Sequence, residues 1–171
     1  MAIDFNQNYF QLFELENSFD VNYESLERKY LSFQKSFHPD KFVNASDQEK
    51  RISLQIISYI NEAYETLKND YLKSIYLLKI NGYEIDDQNT TISDPDFLMH
   101  QMELREELEE IEKSESTELK KIFLEKINKY KIDCLNNFKE NFNKQSYDEA
   151  SKKAKEMKFY ISIENEIVRM D

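Results

Sequence analysis

Two short stretches hold most of the side chains that could do chemistry. In QKSFHPDKF, residues 34 to 42, His38, Pro39 and Asp40 stand side by side and use one of the two histidines and one of the two prolines in the chain. An imidazole beside a carboxylate can serve acid–base work or metal ligation. In FLMHQMELREELEEIE, residues 97 to 112, leucines and methionines around His100 give way to glutamates. Cys134 is the only thiol, which excludes an internal disulfide and any multi-cysteine zinc or iron–sulfur site. An enzyme or metalloprotein reading gathers little else. The histidines lie far apart in sequence, and no P-loop, HExxH or nucleophile–base motif is present. A metal pair held in a helical bundle would need Glu-x-x-His on each of two helices, and neither histidine has a glutamate three residues before it. The expectation is a protein without enzymatic activity, resident metal or cofactor.

The remaining reading for these stretches is contact with other proteins, and composition narrows the kind. The chain has 171 residues, 33% of them charged, with a formal net charge of −11. Nucleic acid and anionic membrane surfaces both call for a basic footprint, so neither is expected as the main partner. Hydrophobic residues make up 40% and aromatics 13%, enough for a packed core. One glycine and two prolines leave little turn chemistry for reversing many strands, which points to an all-α fold. The start, MAIDFNQNYF, has no basic and apolar signal-peptide pattern, and no apolar run approaches membrane-spanning length. A cytoplasmic protein is expected.

The elements that must position these stretches follow from periodicity. Residues 8 to 15 put Tyr9, Phe10 and Phe13 on one helical face. From 22 to 37, Leu26, Tyr30, Phe33 and Phe37 are spaced 4, 3 and 4, with Asn22 as N-cap and Arg28, Lys29 and Lys35 on the other face. Residues 38 to 47 read as a loop. A third pattern, about 47 to 69, aligns Ile52, Ile56, Ile60, Ala63 and Leu67 with Asp47 as its cap. Residues 70 to 81 continue as an apolar helix ended by Gly82. Residues 83 to 93 have no period, and Asp94-Pro95 then places an N-cap before a proline at the first helical position. Three long patterns follow, near 95–112, 117–142 and 147–169. Their apolar stripes are Leu119, Phe123, Ile127, Tyr130, Cys134 and Phe138 in the second, and Ala150, Ala154, Met157, Ile161 and Val168 in the third. A small three-helix bundle is expected there.

The first of these three helices has two faces that disagree. At about 100° per residue, Phe97, Leu104, Leu108 and Ile111 share the core side. Leu98, Met99 and Met102 fall roughly opposite, joined by Glu103, Glu106 and Glu110. The plain reading is that methionines pack against another part of the fold and glutamates face solvent. The sharper reading is a binding ridge, because methionine adapts to varied partners and an apolar patch beside charges is a common interface pattern. Residues 103 to 118 hold eight acids and two bases, whereas 119 to 171 hold 12 basic and 9 acidic residues, so the negative charge is concentrated here. Phe159 lies opposite the stripe of its own helix, where a single exposed phenylalanine would be ordinary.

Pro39 ends the preceding helix because it has no N–H and disfavours helical backbone before it. A basic-faced helix, the His38-Pro39-Asp40 turn and a returning helix, with a short aromatic helix ahead, together resemble a J domain of the DnaJ type. The second half narrows the resemblance. NYFQLFEL, FHPDKF, INEAYETL, YLLKINGYEI and FLMHQMELREELEEIE are similar, in order and over essentially the whole chain, to the HscB family of J-type co-chaperones. The resemblance implies residues 1–81 as a J domain, 82–93 as a linker and 94–171 as a C-terminal three-helix domain. It implies that His38, Pro39, Asp40, Arg28, Lys29, Lys35 and Lys41 contact a DnaK-class chaperone, HscA, and stimulate its ATPase. It further implies that Leu98, Met99, Met102, Glu103, Glu106, Glu110 and Phe159 bind IscU, the iron–sulfur scaffold protein. Met102 departs from a common leucine, a swap that conserves volume. His100 stands where relatives are often acidic. The cysteine-bearing N-terminal extension of eukaryotic relatives is absent, which favours a bacterial cytoplasmic form. The alternative function is a general DnaJ-like co-chaperone for unfolded clients, although the Gly/Phe-rich and cysteine-rich segments of that group are missing.

Overall fold

The computed structural model of the chain describes residues 3–84 and 94–170. Most of the expected 82–93 linker therefore lies outside the described residues. The regular elements are all helical: α1 Tyr9–Leu12, α2 Tyr23–Phe37, α3 Asp47–Lys68, α4 Asp70–Ile80, α5 Pro95–Ser114, α6 Thr117–Asn143 and α7 Tyr147–Val168, with a 3-10 turn at Pro39–Phe42. They divide into two compact units, Met1–Asn81 and Gly82–Asp171. None of the described helices is long and apolar enough to cross a membrane.

In the first unit α2 and α3 run antiparallel, held by pairs whose numbering climbs on one helix and falls on the other. Tyr64 donates to Glu27, the Tyr30 and Tyr64 rings stack at 3.9 Å, and Gln34 donates to Asn61 at 2.7 Å. Phe10, Phe13, Leu26, Ile60, Ala63, Leu67, Leu77 and Leu78 are essentially fully buried between α1, α2, α3 and α4. Each such side chain contributes roughly 1.5–3 kcal/mol of transfer free energy. Asn22 caps α2 by accepting from the Ser25 N–H. Asp47 is not the cap of α3. Ser46 is, in a reciprocal box with Glu49 that satisfies two N–H groups at once. The 38–47 segment is likewise more regular than a loop, since Pro39 sets a helical φ and starts the 3-10 turn. Ile52 is 45% exposed although it shares the α3 stripe, because it sits in the first turns of that helix, ahead of the packed stretch from Ile56 to Leu67.

In the second unit α6 pairs antiparallel with both neighbours. Glu107 of α5 meets Lys126 at 2.6 Å, and Glu164 of α7 meets Lys131 at 2.5 Å. Leu104, Phe123, Ile127, Phe138, Ala150, Ala154 and Ile163 form the centre of its core. Asp94 caps α5 as expected, accepting from the N–H groups of Asp96 and Phe97, with Pro95 at the first position. The expected α6 stripe is buried at Phe123, Ile127, Cys134 and Phe138, but Tyr130 is half-buried and Leu119, in the first turn of the helix, is 45% exposed. The α7 stripe departs further. Ala150, Ala154 and Met157 are buried, but Ile161 is only half-buried and Val168 is 59% exposed, while Tyr160, Ile163 and Ile167 are buried in their place. A helix flanked by two others buries two stripes, and one periodic series cannot describe both.

Candidate interaction sites

In the first unit, α2 ends at Phe37 and His38 leaves helical geometry with ψ at 132°. The His38 Nδ1 accepts the Asp40 backbone N–H at 3.3 Å, so the imidazole caps the 3-10 turn that Pro39 opens. That contact requires an unprotonated Nδ1. The same atom lies 3.5 Å from the Asp40 carboxylate, an ion pair available only to the protonated ring. Both side chains are well exposed, at 52% and 86%. Lys41 closes the turn by donating its N–H to the His38 carbonyl at 3.0 Å. The three residues thus form a short, internally hydrogen-bonded projection.

An open groove of about 830 Å³ brings His38, Asp40 and Lys41 together with Arg28, Leu31 and Lys35 of α2. Arg28 and Lys35 stand one turn to either side of Leu31, so the surface is basic around an apolar centre that is 54% exposed. Lys29 is set apart from this group, for its ammonium pairs with Glu14 at 2.6 Å on the side facing α1. Sequence reasoning missed Leu31. The signal was present, since Leu31 is an apolar residue off the Leu26–Tyr30–Phe33–Phe37 stripe.

In the second unit the two faces of α5 separate as the wheel predicts. Phe97, Leu104, Leu108 and Ile111 are buried at 8%, 1%, 4% and 6%, whereas Leu98, Met99 and Met102 are exposed at 40%, 63% and 64%. Glu103, Glu106 and Glu110 are exposed in line with them. Among the described residues no cation lies within ion-pair distance of Glu106 or Glu110, and Glu103 has only the His100 imidazole at 3.8 Å. These three carboxylates on successive turns, two of them without a cation partner among the described residues, form a strip of negative potential below an apolar patch.

Phe159 is not the freely exposed phenylalanine that its wheel position allows. It is half-buried, edge-on to Phe97 at 5.8 Å, with the Arg105 guanidinium 5.6 Å from its ring centre. Arg105 also pairs with Glu166 at 3.5 Å. Phe159 therefore lies at the α5–α7 seam, on the flank of α5 that carries Leu98 and Arg105. His100 is tucked to the other flank, edge-on to Tyr130 at 4.9 Å. Among the described residues no three His, Cys, Asp or Glu side chains converge as a metal site would require.

A family described as the HSCB C-terminal oligomerisation domain matches residues 93–168. The co-chaperone protein HscB homolog of Shewanella halifaxensis is 48% identical over 108 residues, covering 63% of this chain and 62% of its own length, so that alignment spans under two thirds of the relative. The HscB homolog of Aliivibrio salmonicida is 34% identical over 165 residues, covering 96% of each. The crystal structure of human co-chaperone protein HscB aligns with a TM-score of 0.91 at 30% identity, covering 99% of this chain and 84% of that one.

Proposed function

The chain belongs to the HscB family of co-chaperones, with an N-terminal J domain and a C-terminal three-helix bundle, and from that premise we propose that it is a two-site adaptor. One site stimulates the ATPase of a DnaK-class chaperone of the HscA type. The other binds an iron–sulfur scaffold protein of the IscU type and presents it to that chaperone. The observation that carries this reading is the ridge on α5, where solvent-exposed Met99 and Met102 run into Glu103, Glu106 and Glu110. A stable domain gains nothing from exposing two methionines beside unpaired carboxylates. A partner that offers apolar and basic groups supplies the reason.

At the first site the partner meets a preformed turn. Pro39 and the His38–Asp40 hydrogen bond hold the backbone before contact, so little conformational entropy is lost on docking. Arg28, Lys35 and Lys41 present positive charge on a chain that is negative overall, which directs an acidic chaperone surface to this groove. At the second site Leu98, Met99, Met102 and Phe159 supply apolar contact, and the three glutamates select basic groups. Carrying both sites on one chain raises the concentration of scaffold near the chaperone without any new contact. A bacterial cytoplasmic setting is part of the same reading; the Shewanella and Aliivibrio relatives are bacterial.

Two measurements test the two halves separately. In a steady-state assay of the chaperone's ATPase with scaffold present, His38→Gln is expected to reduce stimulation to the basal rate. Full stimulation by that variant removes the assignment of the turn. In calorimetry with the scaffold protein, Met99→Ala combined with Glu103→Lys and Glu106→Lys is expected to abolish binding while ATPase stimulation without scaffold is retained. Undiminished binding removes the assignment of the ridge.

A further inference from the structure

Leu119 belongs by spacing to the core stripe of α6, yet it is 45% exposed, and Ile122, one turn further on, is 53% exposed. Together they flank a groove of about 190 Å³ between α5 and α6. Its floor is Ile111 and Phe123, which are 6% and 1% exposed. Its α5 rim carries Glu107 and Glu110. Glu107 is already engaged by Lys126 at 2.6 Å. Glu110 has no cation within ion-pair distance among the described residues, and it is also the last carboxylate of the ridge. The groove is therefore continuous with the ridge through Glu110 and offers an apolar trough that ends at an uncompensated negative charge.

Resting on the scaffold reading above, we propose that this groove is a second contact of the same partner and takes one of its long cationic side chains. The aliphatic stem of a lysine or arginine lies along Leu119, Ile122 and Phe123, and its charged head meets Glu110. A trough of this size holds a single such side chain. A second copy of this chain is disfavoured as the occupant. A twofold contact through the groove would set Glu110 of one copy against Glu110 of the other, inside a helix whose 103–118 stretch already holds eight acids against two bases. A purely apolar partner would leave Glu110 desolvated and unpaired.

The test uses the full chain and purified IscU-type scaffold protein in calorimetry, with sedimentation of the chain alone. The double variant Leu119→Ser with Ile122→Ser is expected to weaken binding about three- to tenfold. Ile122→Lys, which places the chain's own ammonium in the trough, is expected to weaken it further. Both side chains are exposed, so thermal stability is expected to stay at the parent value. Ile122→Ser and Glu110→Gln are expected to be non-additive, because both act on one partner side chain. Parent-like binding by the double variant, with Met99→Ala still weakening, overturns the groove and leaves the ridge intact. If Met99→Ala is also silent, the scaffold reading fails and the groove fails with it. A parent chain that sediments as a dimer, made monomeric by the double variant, assigns the groove to self-association and overturns the proposal.

Discussion

Lys73 is the charged residue that is fully buried among the described residues. Its ammonium donates to the Tyr23 hydroxyl at 2.7 Å and to Asp70 at 3.0 Å, with the Phe19 ring centre 4.3 Å away. It ties α4 to the start of α2. Lys73→Ala leaves a void beside Phe19 and is expected to cost about 2–4 kcal/mol in urea denaturation. Lys73→Met keeps the stem and is expected to cost under about 1.5 kcal/mol. Equal losses for the two would mean that the charge, and not the packed stem, holds this joint. Cys134 is buried too, and burial, reinforced by Glu156, pushes its thiol up to about 12. The unfolded thiol titrates near ~8.5, so folding binds a proton above that pH. Its contribution is complete below pH ~8.5 and is lost as pH rises toward 12, at up to about 1.4 kcal/mol per unit. Burial raises the Tyr160 hydroxyl as well, with the same sign at higher pH. Stability is expected to fall from pH 9 to 11, and Cys134→Ala should flatten the first part of that slope. An unchanged slope in the variant would show that the thiol is not the group responsible.

Among the helices, the ends carry the clearest energetic handles. The Ser46–Glu49 box fixes the start of α3 directly after the His38-Pro39-Asp40 turn. Ser46→Ala is expected to cost about 1 kcal/mol in chemical denaturation. An effect of that size should leave ATPase stimulation intact if the turn holds itself together through the His38–Asp40 hydrogen bond. A parallel loss of stimulation would show that the α3 cap also shapes the turn. At the far end of α5, Glu115 adopts a left-handed conformation with φ 51°, a region costly for any residue with a Cβ. It also places a negative charge at a helix C-terminus, where the macrodipole is already negative. Glu115→Gly is expected to raise stability by about 0.5–1 kcal/mol, read as a higher melting temperature. A lower melting temperature would mean that the Glu115 side chain is worth more than its backbone strain.

For the whole molecule, the division into Met1–Asn81 and Gly82–Asp171, each with its own buried core, separates the two proposed contacts. A fragment of residues 82–171 is expected to retain scaffold in a pull-down and to leave the chaperone's ATPase at its basal rate. Stimulation by that fragment would place the chaperone contact outside the His38-Pro39-Asp40 turn. The helical class, the Asn22 and Asp94 caps, the position of the turn and the two faces of α5 were all legible in the chain. Each follows from local rules: a 3.6-residue period, a capping side chain, a proline without an N–H. What neighbours decide was not legible. Phe159 is half-buried because Phe97 and Arg105 of α5 reach it, Lys29 is turned away because Glu14 of the preceding segment claims it, and Leu119 is 45% exposed because α5 covers that side of α6 only in part. Periodicity states which residues share a side of one helix. Which sides are covered, and by what, depends on how several helices divide a common core, and that is settled only when they pack.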